Sequence, residues 1–173
     1  IMNPIKEIAE VVKKYPDVVF CVDTVSSMGG TSIPVDELGI DFCITSTQKC
    51  LGCPPGMSVA SVSKKAYERA KTVPNRGLYL DIVEIYDKVV KDDKYQYPST
   101  PSESHMFALQ EELTYMLEVE GLENRYARHL EMAEYIRAWA RKYFAIFSDE
   151  RYLSPTLTPI KNTRGISVAD LNK

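Results

Sequence analysis

The chain has 173 residues, enough for one sizeable core or for one domain with part of a second. Its formal charge is −3 and no long basic run appears, so nothing in the balance invites nucleic acid. No apolar segment approaches the roughly 20 residues that cross a bilayer, no signal-peptide pattern opens the chain, and its cysteines fit a reducing cytosol better than a disulfide framework. In chain order, "NPIKEIAEVVKKY" predicts a helix. Ile5, Ile8, Val11 and Val12 recur at helical spacing, Pro4 suits a first turn, and Tyr15-Pro16 ends it. "VVFCV", Val18 to Val22, is a short β-branched run and predicts a buried, parallel strand.

Gly29-Gly30 and "VDELG" predict a turn and a short connection. "FCIT" (Phe42 to Thr45) and "MSVASV" (Met57 to Val62) predict two further strands, the second followed by a helix over "SKKAYERAK" with Ser63 as N-cap. Lys71 to Pro101 lacks clean periodicity and reads as an excursion over the surface. From Ser104 the pattern is helical. Met106, Leu109, Leu113 and Met116 form one apolar line. After Gly121, a second line runs through Leu122, Tyr126, Leu130, Ala133, Ile136, Ala140 and Phe144. "YLSPTLTPIKN" reads as a strand and "SVADLNK" as a helix just beginning, so the expectation is a truncated chain. The mixture of strand and helix is that of an α/β sheet.

Two polar residues stand at strand ends. Asp23 directly follows the first strand, and Lys49 lies four residues past Thr45. Ligands of open α/β sheets bind beyond the carboxyl ends of the strands. Both residues are therefore candidates for one pocket, together with Thr24, Ser26, Ser27, Ser46, Thr47 and Gln48. Taken singly, an Asp after a strand is usually a turn residue and a Lys a solvated one. Cys50-x-x-Cys53 competes for attention. A thioredoxin-type pair needs a helix start, which Pro54-Pro55-Gly56 blocks, and a structural zinc needs two more ligands at compatible spacing. The pair reads as two small apolar residues, with Cys50 a candidate for thiol-reagent sensitivity beside the amine, and His105 and His129 as structural or surface histidines.

Val22 to Ala66, "VDTVSSMGGTSIPVDELGIDFCITSTQKCLGCPPGMSVASVSKKA", resembles the cofactor-binding segment of class V pyridoxal-phosphate aminotransferases, nearest the alanine–glyoxylate / serine–pyruvate family. The likeness rests on Asp-x-Val-x-Ser, the Gly-Gly, "GID", Gln-Lys and Pro-Pro-Gly. It continues through "YLDI", "YPSTPS" and "EGLENRYARHLEMAEYIR". The resemblance implies an α/β chain of fold type I: part of a mainly parallel-sheet large domain over 1–119, with an interdomain helix from about 104, and the start of a small α+β domain over 120–173. It implies pyridoxal 5'-phosphate as cofactor and Lys49 as the lysine of the Schiff base. Asp23 would pair with the pyridine nitrogen, Val25 would pack on the ring, and Ser27 and Gln48 would add polar contacts, Gln48 to the phosphate. Tyr97 and Thr100 would reach across a homodimer interface to the partner's cofactor.

The residue types suit that chemistry. Keeping the ring nitrogen protonated over about 2–3 extra pH units takes about 3–4 kcal/mol. A carboxylate at ~4 Å supplies roughly that much at an effective dielectric near 20. Lysine is both an imine-forming amine and, once displaced, a base. The expected reaction moves an amino group between alanine or serine and glyoxylate or pyruvate, in the cytoplasm, with no nucleic-acid or membrane partner. The family's phosphate-cradling loop and substrate-carboxylate arginine fall outside this sequence, so these residues alone are expected to bind the cofactor weakly. Cysteine desulfurases share the pattern but carry His where Gln48 stands. The lysine region is equally compatible with phosphoserine aminotransferase, and the scaffold with a non-catalytic interaction module.

Overall fold

A computed structural model describes residues 1–91 and 96–171. The N-terminal helix α1 spans Ile5–Val12 with Pro4 at its N-cap, and buries Ala9. Strand β1 is Cys21–Asp23, shorter than expected and shifted toward its carboxyl end. After a turn and the short helix α2 (Val35–Leu38), β2 runs over Phe42–Ser46. β3 covers Ser58–Val62 and leads into helix α3, Lys64–Lys71. As the sequence predicts, the Ser63 side chain caps α3 by accepting from the Ala66 N–H at 3.0 Å.

The sheet order is β1-β2-β3. β1 lies parallel to β2, with Asp23 opposite Ile44, and β3 returns antiparallel, with Ser46 opposite Ser58. Only the central strand is substantially buried. β1 and β3 are edges, so the burial expected of Val18–Val22 does not hold: Val18 is 48% exposed, and β3 is likewise exposed along its length. One face of the sheet packs Val22 and Cys43 on Ala9, Leu38 and Ile40, with Ile5, Phe20 and Val35 around them. Asp41, at the start of β2, ties the base of the sheet together. Its carboxylate accepts from the Phe20 N–H at 2.9 Å and the Ser63 hydroxyl at 2.8 Å, and pairs with Lys65 at 2.7 Å.

The surface excursion contains a helix after all. α4, Ile82–Tyr86, is capped by Asp81, whose carboxylate accepts from the Val83 and Glu84 N–H groups, and it widens into a π-type turn over Asp87–Lys91. Helix α5 spans Glu103–Thr114 and runs on through a π-type segment, Tyr115–Glu120. Leu109 and Leu113 face Val59 and Ala60 of β3, Met116 is buried, and Met106 is 41% exposed.

Helix α6, Leu122–Tyr143, departs most from expectation. Its buried residues are Arg125, Ala133, Arg137 and Ala140, whereas Leu122, Leu130 and Ile136 are exposed. The helix meets the rest of the chain through alanines, which allow close approach, and through guanidinium groups that reach carbonyl oxygens. Its leucines are left on the other side. Beyond it, β4 (Ala145–Ile146) pairs antiparallel with β5 (Ile160–Lys161). A 3₁₀ turn at Glu150–Tyr152 and a turn around Ser154–Leu157 replace most of the expected strand, and α7 covers Val168–Leu171.

Candidate active site

The parallel pairing of β1 with β2 puts their carboxyl ends side by side. Asp23 closes β1, and the turn holding Gln48 and Lys49 follows the last residue of β2. Asp23 is exposed, and its Oδ1 accepts from the Val25 N–H at 2.8 Å, which turns the chain sharply behind it. Gln48 and Lys49 are exposed as well. Among the described residues no ion pair involves Asp23 or Lys49. A carboxylate and an amine without ion-pair partners therefore stand at neighbouring strand ends.

A cavity of about 450 Å³ opens at the end of β1, lined among others by Asp23, Val25, Ser26, Ser27, Ser154 and Leu157. The single pocket expected from the sequence divides. Gln48 and Lys49 do not line this cavity, and two of the hydroxyl residues, Thr24 and Thr47, are buried braces. Thr24 is 2% exposed and donates to the Ile44 carbonyl at 2.8 Å. Thr47 is fully buried and donates to the Pro54 carbonyl at 2.7 Å. Among the described residues Ser46 Oγ has no hydrogen-bond partner, although it is buried, two residues past the strand neighbour of Asp23. Half-buried Ser27 is held at 3.4 Å from the Thr24 carbonyl. Tyr97 and Thr100 are exposed in the irregular segment before α5, away from the lining of the cavity.

Three segments converge on the loop behind Asp23. The Ser26 carbonyl accepts from the Cys50 thiol at 3.6 Å and, through a short bond, from the Thr156 hydroxyl. The close approach depends on glycine. Gly29 has φ +88°, and a Cβ there would lie 3.2 Å from the Cys50 carbonyl oxygen. Arg125, 6% exposed, enters from α6. It donates through Nε to the Gly29 carbonyl at 3.1 Å and through Nη2 to the Cys50 carbonyl at 2.8 Å. Glu120 and Glu112 balance its charge at 2.8 and 3.1 Å. Arg137 holds the Ser154 carbonyl at 2.8 Å in the same way, two residues before Thr156. Sequence reasoning passed over both arginines. The one signal for them is their helical register with the buried Ala133 and Ala140.

The cysteines and histidines serve structure. Burial pushes the Cys50 thiol up, against the pull of Arg125, and burial then Glu112 do the same to Cys53, so neither is poised as a thiolate. His105 bridges Pro55, whose carbonyl lies 3.0 Å from Nε2, and Ser102, whose hydroxyl lies 2.7 Å from Nδ1. Since a carbonyl can only accept, Nε2 carries the hydrogen of that bond. Burial, then Arg128 and Arg125, push His129 down. Among the described residues, no group of three or more His, Cys, Asp or Glu is arranged to hold a metal ion. Among the described residues no helix is long and apolar enough to cross a membrane.

Among curated relatives, an uncharacterized aminotransferase of Methanocaldococcus jannaschii is 45% identical over 95% of this chain and 42% of its own length. A 2-aminoethylphosphonate–pyruvate transaminase of Bacteroides fragilis is 35% identical over 91% of this chain and 43% of its own. The crystal structure of alanine–glyoxylate aminotransferase from Nostoc sp. superposes with a TM-score of 0.87 at 27% identity, covering 97% of this chain and 44% of that one. The present chain thus spans less than half the length of these relatives, and its α/β architecture is that of the fold type I aminotransferases. The family model Aminotransferase class-V matches residues 1–146, so the chain belongs to the class-V aminotransferase family.

Proposed function

We propose that the full-length protein is a cytoplasmic, pyridoxal-phosphate-dependent aminotransferase that moves an amino group between a small amino acid, alanine or serine, and a 2-oxoacid, glyoxylate or pyruvate. The observation that carries the reading is the exposed carboxylate of Asp23 and the exposed amine of Lys49, neither in an ion pair among the described residues, at adjacent parallel strand ends. The residues present suit the cofactor. Asp23 offers a carboxylate for a ring nitrogen and Val25 an apolar face at the cavity. Ser27 and Gln48 supply polar groups, and the orphaned Ser46 hydroxyl lies close behind. When bound, pyridoxal phosphate supplies the electron sink that makes a substrate Cα–H acidic.

In this reading Lys49 would hold the cofactor through its amine and, once freed by the amino substrate, that amine would carry the proton from the substrate Cα to the cofactor's C4′ carbon. Asp23 holds a proton on the ring nitrogen. Its own position is fixed by the Val25 N–H and by pairing with β2. Exposed Tyr97 and Thr100 belong to the same proposal, as groups reaching the phosphate in a second copy of a homodimer. So does the division into residues 1–119 and 120–173. The acceptors named for relatives favour the substrate class: one acts with pyruvate, another with glyoxylate.

Adding pyridoxal phosphate to the full-length protein is expected to produce a visible absorbance band that Lys49→Ala loses. A panel of alanine, serine and phosphoserine against glyoxylate and pyruvate then identifies the donor and acceptor. An intact protein that develops no band would end this reading.

A further inference from the structure

The geometry points to Arg125 as a positioning residue. Its buried guanidinium clamps the backbone of the Lys49 turn onto the backbone of the loop that follows Asp23, and so fixes the amine relative to the carboxylate. The functional meaning of the clamp rests on the reading above; its structural basis does not. The two acceptors are the carbonyls of Gly29, six residues beyond Asp23, and Cys50, adjacent to Lys49, held at 3.1 and 2.8 Å. The donor belongs to neither loop. It sits in the first turn of α6, 75 residues from Cys50 and 96 from Gly29.

The chemistry calls for arginine. A planar fork of five N–H groups can serve two carbonyls and two carboxylates in fixed directions. An ammonium group presents its donors from one nitrogen and cannot span both loops. The charge is not stranded on burial, because Glu120 and Glu112 pair with it, and Glu120 is itself held by Arg128 at 2.7 Å. The Cys50 thiol adds only one weak tether between the same loops, to the Ser26 carbonyl at 3.6 Å. Arg125 supplies the charge-assisted bonds, the stronger kind. Neither Asp23 nor Lys49 is itself restrained by an ion pair among the described residues. Their relative placement is therefore set by backbone, which is what this side chain grips.

The test uses the full-length protein with Arg125→Lys and Arg125→Met. Lysine keeps a positive charge beside Glu112 and Glu120 but not the double bond to the loops; methionine removes both. Amide hydrogen exchange is measured first, without cofactor. Both variants are expected to lose about tenfold or more protection at Gly30, Gly52 and Cys53 while amides in the middle of α6 are unchanged, tenfold being the scale of one charged hydrogen bond. Pyridoxal-phosphate titration is then expected to show affinity about tenfold weaker, with covalent attachment to Lys49 still complete at saturation. Unchanged protection in the loops, or an equal loss throughout the chain, would overturn the clamp. Should Arg125→Met fail to fold, Arg125→Lys alone decides. A wild-type protein that binds no cofactor would refute the functional reading without touching the exchange result, so the two failures are distinguishable.

Discussion

Gly30→Ala isolates the contact on which the loop behind Asp23 depends. Gly30 is absent from the positive-φ glycines, so alanine meets no backbone penalty there and the effect is steric. A Cβ at this position would lie 2.4 Å from Thr156 Cγ2 and 3.0 Å from Cys50 Sγ. The first contact is more than an ångström inside the ~3.5 Å of an ordinary carbon–carbon approach. Thr156 cannot swing aside cheaply. It is β-branched, and its hydroxyl is bonded to the Ser26 carbonyl and lies 3.0 Å from Ser154 Oγ. The strain must move backbone, at a cost of about 1–3 kcal/mol. Thr156→Ser removes the offending methyl and keeps the hydroxyl, so the double variant is expected to recover about 1–2 kcal/mol as coupling energy in a double-mutant cycle. Urea unfolding of the full-length protein, read as a shift of midpoint at constant slope, measures it. Additivity within about 0.5 kcal/mol would refute the packing argument.

Two further outcomes follow from the acidic groups Asp41 and Glu120, which hold the scaffold around the site. Asp41→Ala strips partners from the Phe20 N–H, the Ser63 hydroxyl and Lys65, and is expected to cost about 2–4 kcal/mol in the same assay, with Asp41→Asn intermediate. A loss within about 0.5 kcal/mol for both would show the base of the sheet to be held otherwise. Glu120 is held down to about 2, first by the hydrogen bond from Arg128 and, against some burial, by that from Arg125. Its folded pKa lies below the ordinary 4.5, so the stability it contributes is present above that value and lost as pH falls through about 2. Circular-dichroism melts across that window should show a shallower acid decline for Glu120→Gln than for wild type; parallel declines would contradict the assignment.

The sequence made the local elements legible where a chemical signal marks their ends. Ser63 announced α3, and Pro4 announced α1. The strands β1 and β2 are legible as well, because short β-branched runs leave little freedom, and they pair in parallel with Asp23 opposite Ile44. α4 escaped because five residues cannot display a helical period. Its only mark is Asp81, with Glu84 three residues on, in the manner of a capping box. The buried face of α6 was misread for a different reason. An apolar line assumes that burial follows hydrophobicity, whereas Arg125 and Arg137 are buried through the carbonyls they serve, and those acceptors lie on remote segments. Likewise Thr24 and Thr47 look like site residues in one dimension. In three, the Thr24 hydroxyl adds a second donor to the Ile44 carbonyl, which already accepts from the Thr24 N–H, and the Thr47 hydroxyl ties its turn to the Pro54 carbonyl.

The glycine pair does more than turn the chain. Gly29 passes within contact of the Cys50 carbonyl, and Gly30 within contact of Thr156 and Cys50. Three stretches of chain that share no secondary structure therefore meet at the Ser26–Gly30 loop: the Lys49 turn, the Ser154–Leu157 turn and the start of α6. Each is joined by at least one side-chain donor to a backbone carbonyl of the loop or of its neighbour. Strand β1, only three residues long and paired on one side, cannot by itself hold Asp23 against β2. What places the carboxylate is the crowding behind it, and crowding of that kind tolerates no Cβ. The double glycine and the buried arginines are thus two halves of one device, the first removing side chains so that backbones can approach and the second supplying the hydrogens those backbones need.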